Sequence, residues 1–112
     1  MADPAVTYDF NGVKHIRQGH NFRTISGDET EIFERLCELE RRAEWAAVRE
    51  LCEEQIHKTP EWLTPYLCCG VALANLGAEK EAVRCLEHVE RMAPGDANYS
   101  AAARILRELR KQ

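Results

Sequence analysis

Long apolar runs, glycine, proline and aromatic residues are all scarce in this chain of 112 residues. It has six glycines and four prolines, and aromatics are 7% of the total. That excludes a collagen-like, low-complexity or wholly disordered chain. No apolar stretch approaches the roughly 18–20 residues that a membrane-spanning helix needs. An excess of positive charge is also missing. Fifteen Lys and Arg stand against nineteen Asp and Glu, a net charge of −4 with neutral His. That sign is wrong for phosphate, so a general nucleic-acid binder is not expected. The start, Met1-Ala2-Asp3-Pro4, lacks the basic stretch and apolar run of a signal peptide, so no leader is expected. An even set of loop cysteines is absent too. The five cysteines, Cys37, Cys52, Cys68, Cys69 and Cys85, are odd in number and fall in helical patterns. A disulfide scaffold is therefore not expected, and a reducing, cytoplasmic location is the simpler reading.

What remains is an ordinary globular composition, 45% apolar and 30% charged, of a length for one domain. Two parts differ in character. Residues 1–28 carry three acids and three bases and half of the glycines. Val6, Tyr8 and Phe10 alternate with polar residues, Asn11-Gly12 follows, and Val13 and His15 resume the alternation. Asn-Gly between alternating segments is a hairpin signal, because both residues tolerate positive φ. This arm is expected to be a hairpin or extended and to dock on something, since a lone hairpin is marginal in water. Its apolar residues, which also include Ile16, Phe22 and Ile25, are too many for an inert linker.

Residues 29–112 hold sixteen acids and twelve bases, and so the whole net charge. Here the apolar period becomes helical. The stripes are Ile32, Leu36, Leu39 and Ala43; Trp45, Val48, Cys52 and Ile56; and Leu63, Tyr66, Leu67, Gly70, Leu73 and Leu76. Two more follow: Ala82, Leu86, Val89 and Ala93, then Ala102, Ile105, Leu106 and Leu109. Each is flanked by Glu, Arg and Lys, the pattern of amphipathic helices around a shared core. The punctuation agrees. Asp28 with Glu31 reads as a capping box. Thr59-Pro60 or Thr64-Pro65 opens the third helix. Gly77 stops it. Pro94-Gly95-Asp96 ends the fourth helix and caps the fifth, and Arg107, Arg110 and Lys111 suit that helix's C-terminal dipole.

A period of 34 residues runs through this part. Pro60 and Pro94 are 34 apart, and Ile32, Leu36, Leu39, Val48 and Cys52 have counterparts at the same offset. Tyr66-x-x-Cys69-Gly70-x-x-Leu73, then Ala82-x-x-x-Leu86, then Pro94 follows the spacing of the tetratricopeptide motif W-x-x-L-G-x-x-Y, A-x-x-x-F, P. On these residues the chain resembles the tetratricopeptide repeat family over residues 29–112. The repeats are 29–62 and 63–96, with a capping helix 97–112 whose Arg104 stands at the Gly place. Leu36 and Val48 replace the small Gly and Ala in the first repeat, so its helix pair should sit wider or shifted. A generic antiparallel helical bundle is the competing architecture.

The resemblance implies an all-α right-handed solenoid of about five antiparallel helices with a non-helical N-terminal arm. It also implies a protein-interaction scaffold, without catalysis or cofactor, whose first helices line a concave groove. The implied lining is Phe33, Cys37, Glu40 and Arg41 from the first helix. Leu67, Val71, Ala74 and Asn75 come from the third, and Asn98, Ala101 and Ile105 from the fifth. Phe33, Cys37, Cys68 and Ala102 stand where one subclass of the family keeps a polar carboxylate clamp, so a chaperone-tail ligand is not expected. An apolar helix or extended segment suits this groove, although for Leu67, Val71 and Ile105 plain core packing is an equal reading. Two repeats are few for a solenoid. The arm, or a second copy in a homodimer, is expected to cover the rest. The chain also suits a soluble domain of a larger or membrane-associated protein.

Chemistry is thinly represented. Cys68-Cys69 is an adjacent pair whose side chains diverge by about 100° on a helix, unlike C-x-x-C. One should pack in the core and the other should be partly exposed. His15 and His20 are five apart in the non-helical arm with Asp9 nearby, and a metal site there would need a third ligand and a fixed backbone. His57 and His88, with the surrounding Glu, read as solvated faces. Arg104, Arg107 and Arg110 recur every three residues as a basic stripe that either pairs with Glu or meets an acidic partner. No nucleophile signature or Gly-rich phosphate loop occurs. Three classes follow: an interaction module, a self-associating or self-covered structural element, and a small thiol or metal enzyme.

Overall fold

A computed structural model of the chain describes residues 27–96 and 99–111, with side chains from residue 31 onward. The described residues form five α-helices and no strand: α1 (Gly27–Arg41), α2 (Trp45–Lys58), α3 (Thr64–Asn75), α4 (Glu79–Met92) and α5 (Ser100–Arg110). Each coincides with one of the five apolar stripes. The hairpin expected around Asn11-Gly12 lies outside the described residues. No described helix is long and apolar enough to cross a membrane.

α3 lies at the centre. Its sequence, TPYLCCGVALAN, has no charged residue, and its side chains are buried from Thr64 to Ala74 except Tyr66. A helix apolar on every side belongs in the interior. α4 and α2 pack most extensively on it, α5 packs on α4 and also reaches α3, and α1 rests on α2. Leu36, Val48, Leu67, Val71, Leu86, Val89 and Ile105 are fully enclosed, and all join one core. Burying a side chain of this size stabilises by about 1.5–3 kcal/mol. Trp62, Tyr99 and Gln55, which no helical stripe singled out, are buried as well.

α3 and α4 come into close contact at Gly70. A Cβ there would stand 2.6 Å from Leu86 Cδ2, 2.7 Å from Leu86 Cγ and 3.5 Å from the Ala82 carbonyl oxygen. Hydrogen at this position lets α4 press directly on the α3 backbone. The equivalent places in the first helix pair hold Leu36 and Cys52, so large and small residues are exchanged between the two helices. Both are completely buried.

The 34-residue interval recurs in the backbone. α1 and α3 end at Arg41 and Asn75, α2 and α4 begin at Trp45 and Glu79, and these last two end at Lys58 and Met92. The turns are matched bond for bond. Ala43 N–H donates to Glu40 O at 2.9 Å and Glu44 N–H to Leu39 O at 3.0 Å. Gly77 N–H donates to Ala74 O at 3.2 Å and Ala78 N–H to Leu73 O at 2.9 Å. Both pairs have the Schellman arrangement, which needs a left-handed residue at its centre. Gly77 meets that need at φ +87°, but Ala43 is forced to φ +56°.

Several caps differ from expectation. α1 already begins at Gly27, so Asp28 stands inside the first turn and not at the cap. α3 opens at Thr64-Pro65, not Thr59-Pro60, with Leu63 at the N-cap and no side-chain cap bond. α5 is preceded by Tyr99, not Asp96. Gly95 ends the α4 segment at φ +71°. At α3 the first residues Thr64, Pro65 and Leu67 are buried, and a missing side-chain cap typically costs only about 1 kcal/mol.

Two outcomes test these backbone readings. Ala43→Gly should stabilise by about 0.5–1 kcal/mol, because it removes left-handed strain at a small cost in chain entropy. Gly77→Ala should cost a similar amount, and paired urea titrations of the two variants would read both signs. Gly70→Leu should cost about 1–3 kcal/mol or more, since the enclosed Leu86 has nowhere to move. An unchanged thermal midpoint would overturn the close α3–α4 contact.

Candidate functional site

The residues expected to line a groove come together, but not as an open surface. Phe33, Leu67 and Ala101 stand 34 residues apart, as do Cys37, Val71 and Ile105. They occupy equivalent places on α1, α3 and α5. Phe33 and Ala101 are 2% exposed, and Leu67, Val71 and Ile105 are 0% exposed. All five belong to the core, with Ala74 at its margin and Cys37 packed against it. As folded, these side chains are closed to solvent. Of the two readings open for Leu67, Val71 and Ile105, burial holds in this structure.

The polar members of the set lie at its edge. Arg41 is exposed and bonds Glu38 at 2.9 Å. That hydrogen bond, followed by the Arg41 charge, holds the Glu38 carboxyl below its usual range. Such exposed pairs contribute little, because water screens them and two long side chains must be ordered. Glu40 is half-buried. Asn75 is also half-buried, and its amide donates to the Val71 carbonyl at 2.9 Å, one turn back along α3. Asn98 lies outside the described residues.

Two buried polar atoms near the start of α3 have no hydrogen-bond partner, the Trp62 indole N–H and the Thr64 hydroxyl. Trp62 is 2% and Thr64 1% exposed. An unsatisfied buried group carries its full desolvation cost.

The cysteines are arranged in a way the spacing alone did not reveal. Cys68 and Cys69 are both buried, which corrects the expectation that one would be partly exposed. They face opposite neighbours. Cys68 hydrogen-bonds Cys52 on α2, and Cys69 hydrogen-bonds Cys85 on α4. Burial, then the bond to Cys52, pushes the Cys68 thiol well up. The bond to Cys85, then burial, pushes Cys69 up. The same bond draws Cys85 below the usual thiol value, against its own partial burial and the opposing charges of Glu81 and Glu53. The signal that could have located these pairs is the equal separation of sixteen residues, 52 to 68 and 69 to 85, across two successive helix pairs. Among the described residues no group of three or more His, Cys, Asp and Glu side chains could hold a metal ion. His15 and His20 lie outside those residues.

His88 is not on a freely solvated face. Its ring lies 4.2 Å from that of Tyr66, tilted by 36°. Partial burial, then the Arg91 charge, draws its pKa below the ordinary value of 6.5. Of the stripe Arg104, Arg107 and Arg110, the last pairs with a Glu, one of its two expected uses. Arg110 bridges to Glu87 on α4 at 2.6 Å. It helps line a mixed-charge cleft of about 560 Å³ between α4 and α5, together with Glu90, Arg91, Leu106 and Arg107. That cleft shares no residue with the expected groove.

The unpaired Thr64 hydroxyl gives a direct test. Thr64→Val keeps the shape and removes an unsatisfied oxygen, so it should stabilise by about 1 kcal/mol in a denaturant titration. A loss of stability would mean that the hydroxyl has a partner in solution.

No protein-family model, no curated protein and no solved structure matches this chain.

Proposed function

We propose that this chain is a protein-interaction module of tetratricopeptide type, whose inner face on α1, α3 and α5 takes an apolar helix or extended segment. The observation that carries this reading is the 34-residue recurrence. It appears in the motif around Gly70, in the helix ends and in the matched Schellman turns. The reading includes no catalytic step and no cofactor.

A second reading has an observation of its own. The side chains at the equivalent inner positions are 0–2% exposed at Phe33, Leu67, Val71, Ala101 and Ile105. A binding face in this condition is one already covered, and the chain supplies a candidate cover in residues 1–26, with Val6, Tyr8, Phe10, Val13, Ile16, Phe22 and Ile25. In this form the module is self-covered, and an apolar partner competes with the arm for the same face.

The test keeps the whole chain and changes only the arm, as Tyr8→Asp with Phe10→Asp. If the arm covers the inner face, the amide signals of Leu67, Val71 and Ile105 shift and binding of an apolar fluorescent dye rises. Unmoved signals with a doubled mass by light scattering assign the cover to a second copy. Unmoved signals in a monomer mean that the helices close this face themselves, and the binding reading falls.

A further inference from the structure

We propose that Cys69 and Cys85 are a site of reversible oxidation, at which a hydroperoxide converts two thiols into a disulfide that ties α3 to α4. The reasoning starts from placement. The two thiols belong to successive packed helices and hydrogen-bond each other. They sit beside Gly70 and Leu86, where a Cβ on α3 would fall only 2.6 Å from a side-chain carbon of α4. α3 and α4 are therefore in direct contact one residue along from each thiol, and a disulfide needs Cα atoms within roughly 7 Å.

The two sulfurs differ in access, and this sets the order of events. Cys85 is only partly buried, whereas Cys69 is buried. Cys69 donates its proton toward the Cys85 sulfur, and this favours the Cys85 thiolate even with Glu81 and Glu53 nearby. A thiolate is the form that reacts with peroxide. In the first step the Cys85 thiolate attacks the peroxide O–O bond. A sulfur–oxygen bond forms and the O–O bond breaks, leaving a sulfenic acid and, after protonation, one water or alcohol. In the second step the Cys69 sulfur attacks the sulfenic sulfur. The S–O bond breaks as S–S forms, and the hydroxyl leaves as water with the Cys69 proton. Two thiols are oxidised by two electrons and one peroxide is reduced.

Cys52 and Cys68 provide an internal comparison. They have the same separation and also hydrogen-bond each other, but both are closed to solvent. They should react later than the Cys69–Cys85 pair.

The experiment treats the full native chain with hydrogen peroxide, blocks remaining thiols and maps tryptic peptides by mass. The expected product joins peptide 59–80 to peptide 85–91, with two of the five thiols lost and restored by a dithiol reductant. Cys68→Ala should leave this link intact. Cys85→Ser should abolish it. Cys69→Ser should abolish it too, and should leave a Cys85 sulfenic acid that a cyclic 1,3-diketone traps. Cys85 is only partly buried, so its serine variant should keep the fold, which far-ultraviolet circular dichroism checks. The proposal is overturned if peptide 50–58 is linked first, if Cys37 oxidises while Cys85 does not, if the link survives Cys69→Ser, or if native thiols resist peroxide and link only in urea.

Discussion

The contact between Gly70 and Leu86 sets the spacing on which the rest of the packing depends. With no Cβ at Gly70, the Leu86 side chain lies against the α3 backbone, and Ala82 below it keeps the two helices close. α3 can then be enclosed from several sides, by α2, α4 and α5. Its uncharged sequence makes that enclosure favourable, because none of its side chains needs water. The same closeness brings Cys69 to Cys85. Packing and thiol chemistry thus share one cause.

Charge plays a smaller part. The ion pairs Arg41–Glu38, Lys58–Glu54 and Lys111–Glu108 are all exposed and local along one helix. They decorate helices that are already held by burial. Arg110–Glu87 joins two elements, α5 to α4. The polar groups that matter more are enclosed: the thiols of α3, the Thr64 hydroxyl and the Trp62 indole. The first are met by Cys52 on α2 and Cys85 on α4, and the last two are left without a partner. An enclosed polar group has no water to fall back on, so its pairing or lack of it carries a larger consequence.

The inner face of α1, α3 and α5 connects the fold to its proposed use. In the first reading Phe33, Leu67, Val71 and Ile105 offer apolar area to a partner. In the second that area is already covered. The same side chains serve both, because apolar burial is non-directional and does not depend on which chain supplies the cover. A self-covered face keeps the protein from associating through exposed apolar area until a stronger competitor arrives.

The sequence by itself determined the five helices, the stop at Gly77 and the close approach at Gly70. Helical periodicity, positive φ and a residue without a side chain are local properties. They can be read one segment at a time. The 34-residue interval was legible for the same reason. What only the tertiary structure decided was everything that depends on two segments meeting. Asp28, Thr64 and Asp96 have the chemistry of caps, but none of them stands at the N-cap of its helix. Ala43 has no preference for a left-handed turn, but the closing of α1 on α2 imposes one. Trp62, Tyr99 and Gln55 are enclosed although no helical stripe includes them. The residues expected to line a groove share a spacing, but their burial depends on how whole helices meet, which no single segment specifies. Cys68 and Cys69 show the limit most directly. Their divergence on a helix follows from 3.6 residues per turn, but which thiol each one meets depends on the register of α2 and α4 against α3.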